Sequence, residues 1–152
     1  MTLLDMLRRH FDEPIARDLT LLFVRIGLAA VFWQSGRTKV EEGSLLTVSE
    51  TTYFLFAEEY SGVPLLSSQT AAMLTTGAEF LLPLLLAFGL ASRLAALGLI
   101  GMTMVIQLFV YPDAWWVPHM GWVALGLVIL TQGPGRLSLD AIIGRNPRGQ
   151  RT

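Results

Sequence analysis

The sequence predicts an all-α polytopic membrane protein: a bundle of four transmembrane helices, both termini cytoplasmic, with short interfacial helices at its edges. Three observations predict it. Hydrophobic residues make up 53% of the chain and charged residues 15%, with a mean hydropathy of +0.54, whereas soluble domains carry about 25% charge. Four apolar stretches, 19–36, 70–90, 94–111 and 115–131, approach the ~20 residues a helix needs to cross hydrocarbon. Their flanks divide the basic residues unequally. Arg8, Arg9, Arg17, Arg93, Arg136, Arg145, Arg148 and Arg151 fall on one side, and Arg37 and Lys39 on the other, which places both termini inside by the positive-inside rule.

The 152 residues form a single domain on this reading. In the tail 1–17, Leu3, Leu7, His10 and Phe11 line one stripe beside Arg8 and Arg9, as in a cytoplasmic interfacial helix stopped near Pro14. The stretch 19–36 is not a cleaved signal peptide, because Arg25 lies inside it, acidic residues precede it, and no small-residue cleavage site follows. The outer loop 37–69 is too long for a mere connection. Within it Ser49 caps a short helix carrying Glu50 in its first turn, and Tyr53, Phe56 and Tyr60 recur at helical spacing. That helix lies in the outer interface or over the bundle mouth and ends at Pro64, and Ser67 or Ser68 caps the second span. A tight hairpin at Ser92-Arg93 leads to the third. Gly98, Gly101, Gly121 and Gly126 let backbones approach closely. In the cytoplasmic tail 133–152, Gly133-Pro134-Gly135 ends the last span and Ser138 caps a short helix with Asp140 in its first turn.

Several function classes drop out. A net charge of −1 gives no sign of a nucleic-acid partner. The chain has no cysteine, which removes thiolate-bound zinc and iron–sulfur centres. His10 and His119 fall on opposite sides of the bilayer and the six methionines are scattered, so no metal or haem is expected from this chain alone. The lipid bilayer is the partner that composition demands.

Arg25 and Glu79 sit in the middle of two spans, where charge costs at least ~2.5 kcal/mol and therefore faces the interior and a partner. On an ideal helix Arg25, Ala29, Phe32, Gly36 and Lys39 share one face, as do Ala72, Thr75, Glu79, Pro83 and Leu86. At ~1.5 Å per residue, Arg25 lies about 10 Å from the cytoplasmic edge and Glu79 about halfway across, so a buried Arg25–Glu79 ion pair is expected. Such a pair either joins two helices or takes part in function. At the outer end Gln34, Ser35, Gln107, Tyr111, His119 and Trp122 gather, and Gln107 shares a stripe with Thr103 and Tyr111. His119, beside Pro118, can hydrogen-bond a ligand carbonyl or take a proton near neutral pH. Lys39, Gln107, Tyr111 and His119 are the ligand-binding candidates; no residue is assignable as catalytic. Trp33, Trp115, Trp116 and Trp122 fit an interfacial aromatic belt.

The stretches VRIGLAAVFWQSGRTKV, TTGAEFLLPLLLAFGLASRLAAL and GPGRLSLDAIIGR resemble successive signatures of the DoxX family of small bacterial membrane proteins. The resemblance runs from Val24 to Arg145. It implies a four-helix fold in the bacterial inner membrane, and maps the family's arginine onto Arg25, its S-G-x-x-K onto Ser35, Gly36 and Lys39, its membrane glutamate onto Glu79, and its G-P-G-x-x-S-L-D onto Gly133 to Asp140. Some similar proteins are subunits of quinone-linked oxidoreductases acting on sulfur compounds, and others belong to oxidative-stress complexes. The resemblance therefore implies a subunit that binds a quinone-like or other amphipathic ligand and works with a redox partner. Arg25 and Glu79 would fix its interior, with Gln107 and His119 lining the outer entrance. The alternative is a non-enzymatic membrane anchor or small-solute carrier whose outer loop docks an extracytoplasmic protein. As a carrier, four spans would call for a homo-oligomer.

Overall fold

Pro14 opens the first helix, where its missing N–H has no intrahelical partner to lose. In the computed structural model, which describes residues 14–64 and 66–144, α1 spans Pro14–Thr38. The helix expected over the first tail lies outside those residues. Asp18, Leu21, Arg25, Leu28, Ala29, Phe32 and Gly36 form the buried stripe of α1 at three- and four-residue spacing. Residues 39–49 then fold back on themselves, with Glu41 N donating to Thr47 O and Ser49 N to Lys39 O. An isolated antiparallel bridge, Val40 to Val48, is the one extended pairing among the described residues.

Ser49 accepts a hydrogen bond from Thr52 N and opens α2, Glu50–Glu59. This helix stops at Tyr60, ahead of the Pro64 expected to end it. Phe56, 2% exposed, presses α2 onto Ala71 and Ala72 of α3. Ser67 caps α3, Ser68–Phe88, through Thr70 N. Gly89, in the left-handed conformation at φ +70°, ends α3, and Leu90 N returns to Leu85 O at 2.8 Å. After Ala91, α4 runs Ser92–Phe109. A 3₁₀ turn, Pro112–Ala114, and a kinked turn, Trp115–His119, with Val117 extended and a cis Val117–Pro118 peptide, lead into α5, Met120–Gln132. The short α6 is Leu139–Ile142, capped by Ser138.

Helix α1 packs against α3 and α5, and α4 against the same two helices. Between them lies one core: Leu28, Ala29 and Phe32 of α1, Leu86 of α3, Ala95, Ala96 and Leu99 of α4, and Ile129 of α5. Gly98 and Gly126 are contact points, since an added Cβ would come within 2.9 Å of Leu82 and 2.6 Å of Ile100. Gly101 and Gly121, expected to do the same, face open space. Large apolar side chains such as Phe23, Leu94 and Leu108 point outward. Three helical segments, Ser68–Phe88, Ser92–Phe109 and Pro112–Gln132, are long and apolar enough to cross a membrane. The 25-residue α1 is longer but carries Arg17, Asp18, Arg25 and Arg37.

The register of α1 on α3 positions everything that follows. A Cβ on Gly36 would lie 3.2 Å from Glu79 Cβ, and one on Gly89 would strike Arg25 Nη1. Glu79 is thus level with the end of α1 and Arg25 with the end of α3. The first three turns or so of α3 run past α1, and α2 covers them.

Candidate functional site

Polar side chains collect at both ends of these helices, and the two ends differ in kind. At the hairpin end most polar groups are engaged in closure, although Arg25 Nε and the Nε and Nη2 of Arg93 have no hydrogen-bond partner among the described residues. Arg25 is fully buried and donates from Nη1 to Leu86 O and Ala87 O, 3.4 Å each, and from Nη2 to Leu137 O. The first two are carbonyls of the last turn of α3, where a cation is favoured. Asp140 reaches across to α4, its carboxylate accepting from Ala91 N and Ser92 N at 2.8 Å and from Ser92 Oγ at 2.9 Å. Asp140 therefore caps α4 besides standing in the first turn of α6. Gly89 O accepts from Asp140 N, and Ser138 donates to Gly135 O. Asp18, at the edge of the apolar stretch, accepts from Arg136 N and Nε. Burial alone would raise its carboxyl, yet the bonds from Arg136 hold it below its ordinary value.

The expected Arg25–Glu79 ion pair is not formed. Gly36, level with Glu79, is 11 residues beyond Arg25, a rise of ~16 Å that an arginine side chain does not span. Treating the two spans as flush hid that overshoot. The partner of Glu79 is Lys39: its ammonium lies 2.8 Å from Oε2 and 3.0 Å from Oε1, with side chains 15% and 1% exposed. Only the Oε1 contact has hydrogen-bond geometry, so Oε2 feels the charge without a directed bond. Ser35 Oγ completes the triangle, accepting from Lys39 at 2.9 Å and donating to Glu79 Oε1 at 3.1 Å. Gly36 lets Glu79 come this close, and the S-G-x-x-K spacing was the signal for it.

Beside this triangle opens a cavity of about 520 Å³. Val31, Phe32, Leu55, Phe56, Ile106 and Trp122 give it apolar walls, and Lys39, Glu79, Glu59, Tyr60, Tyr111 and His119 its polar points. Gln34 also borders it. Of the four ligand-binding candidates, Lys39, Tyr111 and His119 line the cavity; Gln107 does not, but its Oε1 lies 2.7 Å from His119 Nδ1. Trp122 leans on His119 and on Phe32, with ring centroids 5.1 and 5.6 Å apart. It is an internal wall and not part of an aromatic belt, and Trp33 packs edge-on against Phe80. Tyr111 donates to Glu59 of α2, which ties the helix over the cavity to the segment after α4. Sequence reasoning missed Glu59 and Tyr60 as cavity residues. Burial, with Tyr111, Glu79 and Glu59 nearby, pushes the Tyr60 hydroxyl up to about 12.

A chain whose regular elements among the described residues are helical, with three segments apolar enough to cross a bilayer and a mainly apolar cavity with a few polar points at one end of them, is a membrane protein with a candidate small-molecule site. It belongs to the DoxX family, whose model matches residues 20–112. The chain is also similar, 29% identical over 139 residues, to an "Uncharacterized protein" of Haemophilus influenzae, covering 86% of this chain and 87% of that one. No solved structure matches.

Proposed function

We propose that α1, α3, α4 and the segment Pro112–Gln132 all cross the bacterial cytoplasmic membrane, with both termini inside. The cavity then opens toward the outer face, where it holds a quinone-like or other amphipathic ligand for a redox partner. The cavity itself carries the reading. At about 520 Å³ it falls within the ~300–1,000 Å³ of small-molecule sites, and it combines apolar walls with a few convergent polar groups. Lys39, Tyr111 and His119 face the ligand, Gln107 acts through His119, and Arg25 serves only to close the opposite end. With no cysteine in the chain, electrons travel through an organic ligand or through centres on the partner.

Titrating purified protein with a short-chain quinone analogue tests the ligand, with saturable binding expected. No saturable binding would favour the anchor that docks an extracytoplasmic protein through residues 37–69. Reporter fusions after Gly62 and at the C-terminus test the topology and should report opposite compartments.

A further inference from the structure

Gln107 decides which nitrogen of His119 carries a hydrogen. Its Nε2 donates to Pro112 O at 2.5 Å, so Oε1 is the atom 2.7 Å from His119 Nδ1. Turning the amide over would press its oxygen against the Pro112 carbonyl, acceptor against acceptor, and chemistry thus settles the orientation. An amide oxygen only accepts. Nδ1 must therefore donate, which in a neutral ring leaves Nε2 as a bare acceptor. His119 is 3% exposed, its ring borders the cavity, and Nε2 has no hydrogen-bond partner among the described residues.

The donors around the cavity are largely spent. The three contacts of the Lys39 ammonium, to Ser35 O, Ser35 Oγ and Glu79 Oε1, match its three N–H groups. Tyr111 donates to Glu59 and Thr52 to Lys39 O. Among the other polar groups at the cavity, the half-buried Tyr60 hydroxyl serves either way, the exposed Gln34 amide makes no hydrogen bond to the described residues, and Glu79 Oε2 has only the Lys39 charge beside it. A ligand carbonyl finds few free donors, while a ligand hydroxyl finds at His119 Nε2 an acceptor with no partner among the described residues.

We propose that His119 selects ligands by hydrogen-bond polarity, taking a phenol-class hydroxyl at Nε2 in preference to a carbonyl, with Gln107 as the positioning residue that fixes the tautomer. This rests on the cavity being a ligand site and reverses the role expected from sequence, in which His119 met a carbonyl. For a ligand that interconverts between hydroxyl and carbonyl forms, the cavity is a site for the reduced form.

The test uses para-heptylphenol and its O-methyl ether, para-heptylanisole, titrated into detergent-purified full-length protein at about pH 8, above the ordinary imidazole range near 6.5. The phenol should bind about fivefold more tightly, as one hydrogen bond predicts, and His119→Phe should abolish the preference. Nitrogen NMR of histidine-labelled His10→Gln protein should show a protonated Nδ1 and a bare Nε2, a pattern that Gln107→Leu should lose. Saturable but equal binding of the two probes overturns the selector and leaves the cavity reading standing. No saturable binding of either overturns both. A bare Nδ1 overturns the tautomer assignment whatever the variants do.

Discussion

Lys39 and Glu79 meet at 2.8 Å at the level where α1 ends, and the arginine that shares the buried stripe of α1 never reaches that carboxylate. Lys39 and Glu79 are thus one unit and Arg25 belongs to another. Removing either partner leaves a charge in a poorly solvated place, a loss of about 3 kcal/mol at the lower end of buried-pair precedents, since Lys39 keeps some exposure. Glu79→Gln and Lys39→Met should each lower the melting temperature in detergent, and the double variant should lose less than their sum. Arg25→Leu combined with Glu79→Gln should be additive within ~0.5 kcal/mol. Coupling in that second cycle, and none in the first, would reinstate the pair that register rules out.

Gly89 is predicted to be the least replaceable glycine. Its φ of +70° already disfavours a side chain, and a Cβ there would stand 2.1 Å from Arg25 Nη1 and 2.5 Å from Ser138 Cβ. Gly89→Ala should cost more than ~2 kcal/mol, one for conformation and the rest for displaced Arg25 contacts. Gly77→Ala, in open space within α3, should instead be neutral or stabilise by ~0.5–1 kcal/mol. Thermal melts of the two variants side by side check this, and equal melting temperatures would contradict it.

Asp140→Ala removes three hydrogen bonds from the start of α4. Bonds to a charged acceptor contribute ~1.5–3 kcal/mol each but not additively, so a loss of about 2 kcal/mol or more is expected. Ile142→Ala, 79% exposed in the same short helix, should stay within ~0.5 kcal/mol. Should both variants melt alike, the cross-helix cap has been misjudged.

Tyr60 provides a pH signature outside the membrane-spanning helices. Its hydroxyl is raised from 10.0 to about 12, so the folded state holds that proton more tightly than the unfolded chain does. The associated stability is complete below pH 10 and is lost as pH rises toward 12. A tyrosinate absorbance titration of the parent minus that of Tyr60→Phe should isolate a step near 12. A step near 10 would mean that the hydroxyl is solvated, and that α2 does not cover it.

Much of the helical layout was legible because it is local. Ser49, Ser67 and Ser138 each accept from the backbone N–H three residues on, in agreement with their cap spacing. The buried stripe of α1 follows the period that put Arg25, Ala29, Phe32 and Gly36 together. What stayed hidden depends on how one helix slides along another. Nothing in residues 68–88 alone says that they outrun α1, and that offset separates Arg25 from Glu79. The reach of Asp140 to Ala91 and Ser92, 49 and 48 positions away, is equally non-local. His119 and Gln107 were singled out by type and position, but the hydrogen-bond direction between them required Pro112 O, which a kink after α4 supplies.

The closure at Arg25 also has a direction in time. Its acceptor Leu137 O lies 112 positions later in the chain, and a ribosome delivers the two in that order. While α1, α3 and α4 are already made, the guanidinium has only the two carbonyls of α3 and the first amides of α4 are bare. Translation of 133–140 supplies the missing acceptor and the missing carboxylate together. A product stalled or clipped before that stretch carries an unsated arginine and uncapped amides, a chemical mark that separates an unfinished chain from a finished one.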